Sequence, residues 1–112
     1  MQKMLAQVVG VVLTVVGVAG FFVSDTLLGF GINTLHNLVH LVTGLLGVWV
    51  GFSANEYVKQ YNSYLGIVYL LVGIVSLVTG EWLVALLNSN MADNVLHLVL
   101  GVVLAGVGFF SD

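Results

Sequence analysis

Asn37-Leu38-Val39-His40-Leu41-Val42-Thr43-Gly44 returns 57 residues later as Asn94-Val95-Leu96-His97-Leu98-Val99-Leu100-Gly101. The pattern Asn-x-x-His-Leu-Val-x-Gly is therefore written twice, and the match continues outward at the same spacing, Asn33 with Asn90, Gly51 with Gly108 and Phe52 with Phe109. Each copy sits in a strongly apolar run. At 100° per residue, taking His40 as zero, Asn33 falls at about 20°, His36 at −40°, Asn37 at 60°, Gly44 at 40°, Gly47 at −20° and Gly51 at 20°. One stripe of that segment carries both histidines, both asparagines and the three glycines. In the second copy Asn90, Asp93, Asn94, His97, Gly101 and Gly108 fall on the equivalent stripe.

The composition names the solvent. Of the 112 residues, 60% are hydrophobic and 6% charged, against roughly 25% charged in a soluble domain. The few charged side chains cannot cover a soluble fold of this size, so the chain is read as a single membrane domain, with the bilayer as its first partner. Without cysteine there is no disulfide, thiolate site or cysteine nucleophile. Two lysines against five acids, with no basic run, argue against a nucleic-acid partner.

Four apolar segments, at about 4–24, 34–53, 63–80 and 94–110, are long enough or nearly so to cross roughly 30 Å of hydrocarbon at 1.5 Å per residue. The first has the outline of a leader peptide. However, Gly10 and Gly17 align with Gly66 and Gly73 at a spacing of 56, and a cleaved leader has no reason to match an internal helix. The reading is an all-α four-helix membrane bundle built from two tandem hairpins, about 1–56 and 57–112, related by a pseudo-two-fold axis along the membrane normal. Lys3 and Lys59 fall on one side, and Asp25, Glu81 and Asp93 on the other. This predicts cytoplasmic termini in a cytoplasmic (inner) membrane.

Tyr57, Tyr61 and Tyr64 are expected as an interfacial belt. Trp82 is expected to anchor a short interfacial helix, and Asp93 or Asn94 to cap the last helix. Thr14 and Tyr69 are expected to bond nearby backbone carbonyls.

Polar groups in hydrocarbon face protein or water, and glycines on the same stripe permit close backbone approach. Helices two and four are therefore expected to face inward, with His40 and His97 at matching depth. Asn37, His40, Asn94 and His97 form a polar clasp, Gly44, Gly47, Gly51, Gly101 and Gly108 pack helices, and His36 stands opposite Asp93 as a ligand or ion pair.

At Leu35-His36-Asn37-Leu38-Val39-His40-Leu41 and Ala92-Asp93-Asn94-Val95-Leu96-His97-Leu98, with glycines downstream, the chain resembles a widespread bacterial family of small four-helix membrane proteins known as a domain of unknown function. That family usually carries a proline near the start of its second helix, where this chain has Asn33-Thr34. The resemblance implies the fold and a bacterial cytoplasmic membrane, and implies no activity.

Three roles follow from the residues. The first is a structural or accessory component, acting as a homo-oligomer or within a larger membrane complex and needing no cofactor. The second is a ligand site, with His40 and His97 on a haem iron, or His36, His40, His97 and Asp93 around a divalent metal. The third is a small ion or proton pathway, since intramembrane histidines titrate near neutral pH. The outer loops hold Ser24, Asp25 and His36, a set better explained by a turn than by catalysis. An enzyme is not expected.

Overall fold

The computed structural model describes residues 1–23, 26–27, 30–78, 86–88 and 90–111. Among these, four long helices run Gln2–Gly20 (α1), Thr34–Phe52 (α2), Val58–Val78 (α3) and Met91–Phe110 (α4). Each, α3 together with the short 3-10 turn Asn55–Tyr57 before it, is long and apolar enough to cross a membrane. Thr26–Leu27 (β1) and Phe30–Gly31 (β2) form a minimal antiparallel ladder between α1 and α2. The connection expected to hold Trp82 lies outside the described residues except for its last part, Leu86 to Asn88.

The chain folds as an all-α four-helix bundle in which α1 packs on α2 and α3 on α4, and contacts between the two pairs are sparse. Glycines set both close pairs. A side chain on Gly10 would strike the Gly47–Val48 backbone, and one on Gly66 the Ala105 backbone. Likewise Gly17 meets Leu41 and Gly73 meets Leu98; Gly44 meets Thr14 and Gly101 meets Leu70; Gly51 meets Gln7 and Gly108 meets Ser63. Each of these four contacts in one pair has its counterpart 56 or 57 residues away in the other.

The glycine stripes pack helices, as the sequence leads one to expect. Those of α2 and α4 do not close on each other; each closes on the preceding helix. Packing rather than hydrophobic exclusion drives helix association in lipid, and the short chain path inside each hairpin decides which backbones meet. The histidines share the stripe but point past the neighbouring helix into the centre.

Polar residues refine the helix ends. Helix α4 begins at Met91, three residues before the expected start, because Asn90 caps it. Asn90 Oδ1 accepts the Asp93 N–H (3.0 Å), and Asp93 Oδ2 accepts the Asn90 N–H (2.8 Å), a reciprocal capping box. Asp93 thus contributes from the third helical position rather than as the cap. Asn33 caps α2 by accepting the His36 N–H at 2.9 Å. Helix α1 ends at Gly20 rather than 24.

Helix α3 starts at Val58, five residues before its expected start, so the polar run around Asn62 is helical. Asn62 is fully buried. Its Nδ2 donates to the Gln2 carbonyl and to Gln2 Oε1, both at 2.9 Å. Gln2 Nε2 in turn donates to the Val107 carbonyl (2.6 Å) and the Ser111 carbonyl (3.1 Å), and Lys59 Nζ donates to the Gly108 carbonyl at 2.5 Å. A cation and an amide therefore satisfy the open carbonyls at the C-terminus of α4, where the helix dipole favours positive charge. This cluster ties the two hairpins together at the end of the bundle that holds both termini. Tyr57 and Tyr64 are exposed as a belt requires. Tyr61 instead turns inward and donates to the Thr43 carbonyl at 2.7 Å.

Candidate functional site

Beyond that terminal cluster lies an apolar layer of Val9, Leu13, Leu65, Tyr69 and Leu104. Above this layer, toward the end where α2 and α4 begin, sit the histidines. His40 and His97 are each the seventh residue of their helix, about 10 Å along the axis. Their ring centroids are 6.5 Å apart at 68°. His36, one turn before His40, brings its ring to 4.3 Å from that of His40 and 5.7 Å from that of His97. All three side chains are buried. One nitrogen from each lies within 4.8 Å of the other two.

The surroundings hold these rings in place. His36 Nδ1 meets the Leu87 carbonyl at 3.1 Å. The segment before α4 is pinned over α2 by two amides: Asn33 Nδ2 donates to the Leu86 carbonyl and Asn88 Nδ2 to the Ile32 carbonyl, each at 2.7 Å. Asn88 adopts a positive φ of 51°, a conformation asparagine tolerates better than most residues. On the other side, Tyr69 stacks on His97 with centroids 5.5 Å apart and planes 18° from parallel. Its hydroxyl meets Thr43 Oγ1 at 3.1 Å, a side-chain partner in place of the expected backbone carbonyl. Thr14 does bond locally, donating to the Gly10 carbonyl at 2.7 Å.

The polar clasp has a different character from a satisfied hydrogen-bond network. Asn37 and Asn94 are buried. Asn37 Oδ1, Asn94 Oδ1, His40 Nδ1 and His97 Nδ1 have no hydrogen-bond partner among the described residues. A buried polar atom without a partner costs about 1–3 kcal/mol, so this arrangement is an expensive way to hold helices together. Asn62 Oδ1 and Ser76 Oγ stand the same way elsewhere in the bundle; such atoms are ordinarily met by an ordered water or an ion.

The donor set decides what could be received. Imidazoles suit zinc, copper, iron and nickel. A tetrahedral ion with nitrogens at about 2.0–2.1 Å needs them about 3.4 Å from each other, so the rings would close by roughly 1.4 Å or less. The fourth residue of the expected metal set, Asp93, does not join the cluster; its carboxylate caps α4. Bis-histidine haem ligation meets an obstacle in His36, whose ring stands close to both of the others, where the macrocycle would run. A continuous polar path is also lacking among the described residues, because the apolar layer closes the bundle below the histidines.

Sequence reasoning located the stripe and its three histidines, but missed Gln2 and Asn62. The signal for Asn62 was an amide between two tyrosines at the edge of an apolar run, which reads equally well as a loop.

Residues 3–110 match a family model described as a domain of unknown function, DUF4383. No curated protein and no solved structure matches the chain.

Proposed function

This chain belongs to the DUF4383 family of unknown function, and from its buried site we propose that it is a metal-binding membrane bundle in which His36, His40 and His97 hold one first-row transition-metal ion. The observation that carries the reading is the convergence of three buried imidazoles to within 4.8 Å. Support over a purely structural clasp comes from the division of labour in the bundle. The hairpins are held together by Gln2, which accepts from Asn62 and donates to the end of α4, whereas His40 and His97 contribute unpartnered nitrogens. Three protein ligands leave a fourth position open, the pattern of sites that bind or activate a further ligand rather than closed structural sites.

In this reading the two hairpins are copies of one ancestral unit, supported by the recurring glycine contacts and by the matching caps Asn33 and Asn90. Lys3 and Lys59 lie toward the cytoplasm, so the metal sits nearer the outer face of a cytoplasmic membrane.

The test is elemental analysis of protein purified gently in detergent, before and after equilibration with Zn²⁺ or Cu²⁺. About one ion per chain is expected, and His36→Ala, His40→Ala and His97→Ala should each weaken binding by at least roughly tenfold to a hundredfold. Folded wild-type protein that retains neither ion would refute the reading.

A further inference from the structure

The charge around the histidine cluster can be counted. Its three donors bind a metal as neutral imidazoles, and the acid expected among them, Asp93, caps α4 instead. Asp93 is nevertheless buried, and it lies one turn before His97 on the same stripe. Residues four apart on a helix are surface neighbours, so its charge reaches the cluster without an oxygen being given to the metal. It stands in the first turn of α4, where the helix dipole stabilises a negative charge. Among the described residues no other acid and no lysine is buried.

Holding a net charge in a low-dielectric interior is costly, and the cost grows with the square of that charge. With one carboxylate already present, a monovalent cation brings the sum to zero. A divalent cation leaves a unit positive charge, and a second anion would have to accompany it. The described residues supply no second buried acid for that purpose.

The donors narrow the choice further. Alkali cations prefer oxygen, whereas imidazole suits transition metals. The monovalent ion of that kind in the first row is Cu⁺. Its filled d shell imposes no geometry, and three donors satisfy it. Zinc usually completes four. Two nearby oxygens are already committed: the hydroxyl of Tyr69, whose ring stacks on His97, to Thr43 Oγ1 at 3.1 Å, and Asp93 Oδ2 to the Asn90 N–H at 2.8 Å.

We propose that the cluster is selective for cuprous copper over divalent ions, with three imidazoles supplying the bonds and buried Asp93 the balancing charge. The proposal rests on the metal-binding reading and adds to it the charge of the ion.

The test compares two affinities on the full chain in lipid nanodiscs without oxygen. Cu⁺, kept reduced by ascorbate, is titrated against bicinchoninate, and Zn²⁺ against a colorimetric zinc chelator. Cu⁺ should bind at one ion per chain and at least about a hundredfold more tightly than Zn²⁺. Zn²⁺ bound as tightly as Cu⁺ overturns the proposal and leaves the metal reading standing. Folded protein that takes up neither ion removes both.

Asp93→Asn isolates the charge, because the amide oxygen that replaces the carboxylate can still accept the Asn90 N–H. The Coulomb loss scales with the charge of the ion. Cu⁺ affinity should therefore fall at least about tenfold and Zn²⁺ affinity by roughly the square of that factor, so the preference for Cu⁺ widens. Equal losses for the two ions, or no loss, in the folded variant refute the balancing role of Asp93. If the variant does not fold, the wild-type comparison of Cu⁺ with Zn²⁺ still decides the proposal.

Discussion

Replacing Gly101 with alanine should separate α3 from α4. A Cβ built at Gly101 lies 2.5 Å from the Leu70 backbone nitrogen, 2.7 Å from its Cα and 2.9 Å from its Cβ, against 3.4–4 Å for ordinary contact. The nearest atoms are backbone, so no rotamer change relieves the clash, and the helices must move apart by about 0.9 Å at the crossing. A gap of 0.5–1 Å forfeits roughly a quarter to a half of the dispersion well for the atoms along the seam, and overpacking of this kind costs about 1–3 kcal/mol.

Gly106, five residues further along the same helix, is the control. A Cβ there meets nothing within 4 Å, so alanine should be neutral or stabilise by up to about 1 kcal/mol through helix propensity. At about 2 kcal/mol the Gly101→Ala cost is roughly a thirtyfold change in the unfolding equilibrium. Reversible unfolding in mixed micelles at increasing denaturing-detergent fraction, followed by helical circular dichroism, separates the two variants. If Gly101→Ala proves as stable as Gly106→Ala, the close seam between α3 and α4 is wrong. Because His97 lies one turn from Gly101, the same variant should also lose metal affinity, whereas Gly106→Ala should keep it.

Asn62→Leu should destabilise by about 1–3 kcal/mol, since bonds of this kind in membranes measure about 0.6–1.7 kcal/mol each and two are lost. In a double-mutant cycle with Gln2→Leu the costs should add to less than their sum; strict additivity would show that the two amides do not act together. Asn90→Ala should cost about 1 kcal/mol for the lost cap. Asn33→Ala should cost more, because it also releases the Leu86 carbonyl; equal losses in the unfolding assay would contradict the pinning of that segment.

Much of the architecture could be read from periodicity. A stripe that gathers His36, His40, Asn37 and three glycines on one side of an otherwise aliphatic helix has to face protein, and its recurrence around His97 predicts where the two meet. Two things were not legible. A glycine stripe announces that some backbone comes close, yet Gly44 has no feature that chooses Thr14 of α1 over α4; the choice lies in the chain path. The start of α3 was also hidden, because Lys59, Gln60 and Asn62 resemble a loop until the carbonyls that Lys59 and Asn62 serve are placed beside them. The same limit applies to the caps. Asn90 and Asp93 are both good first-turn residues, and only the reciprocal bonds assign their roles.

The amide of Gln2 reaches carbonyls more than a hundred positions away along the chain. During synthesis the first hairpin enters the membrane long before those carbonyls exist. It must wait there as a pair held by its own seam, the close glycine contacts and the Gln7 bond to the Gly51 carbonyl. Assembly of the three-histidine cluster and fastening of the terminal end are therefore late events that depend on the emergence of α4. A chain that stops before α4 would lack both the carbonyls that Gln2 reaches and the third histidine.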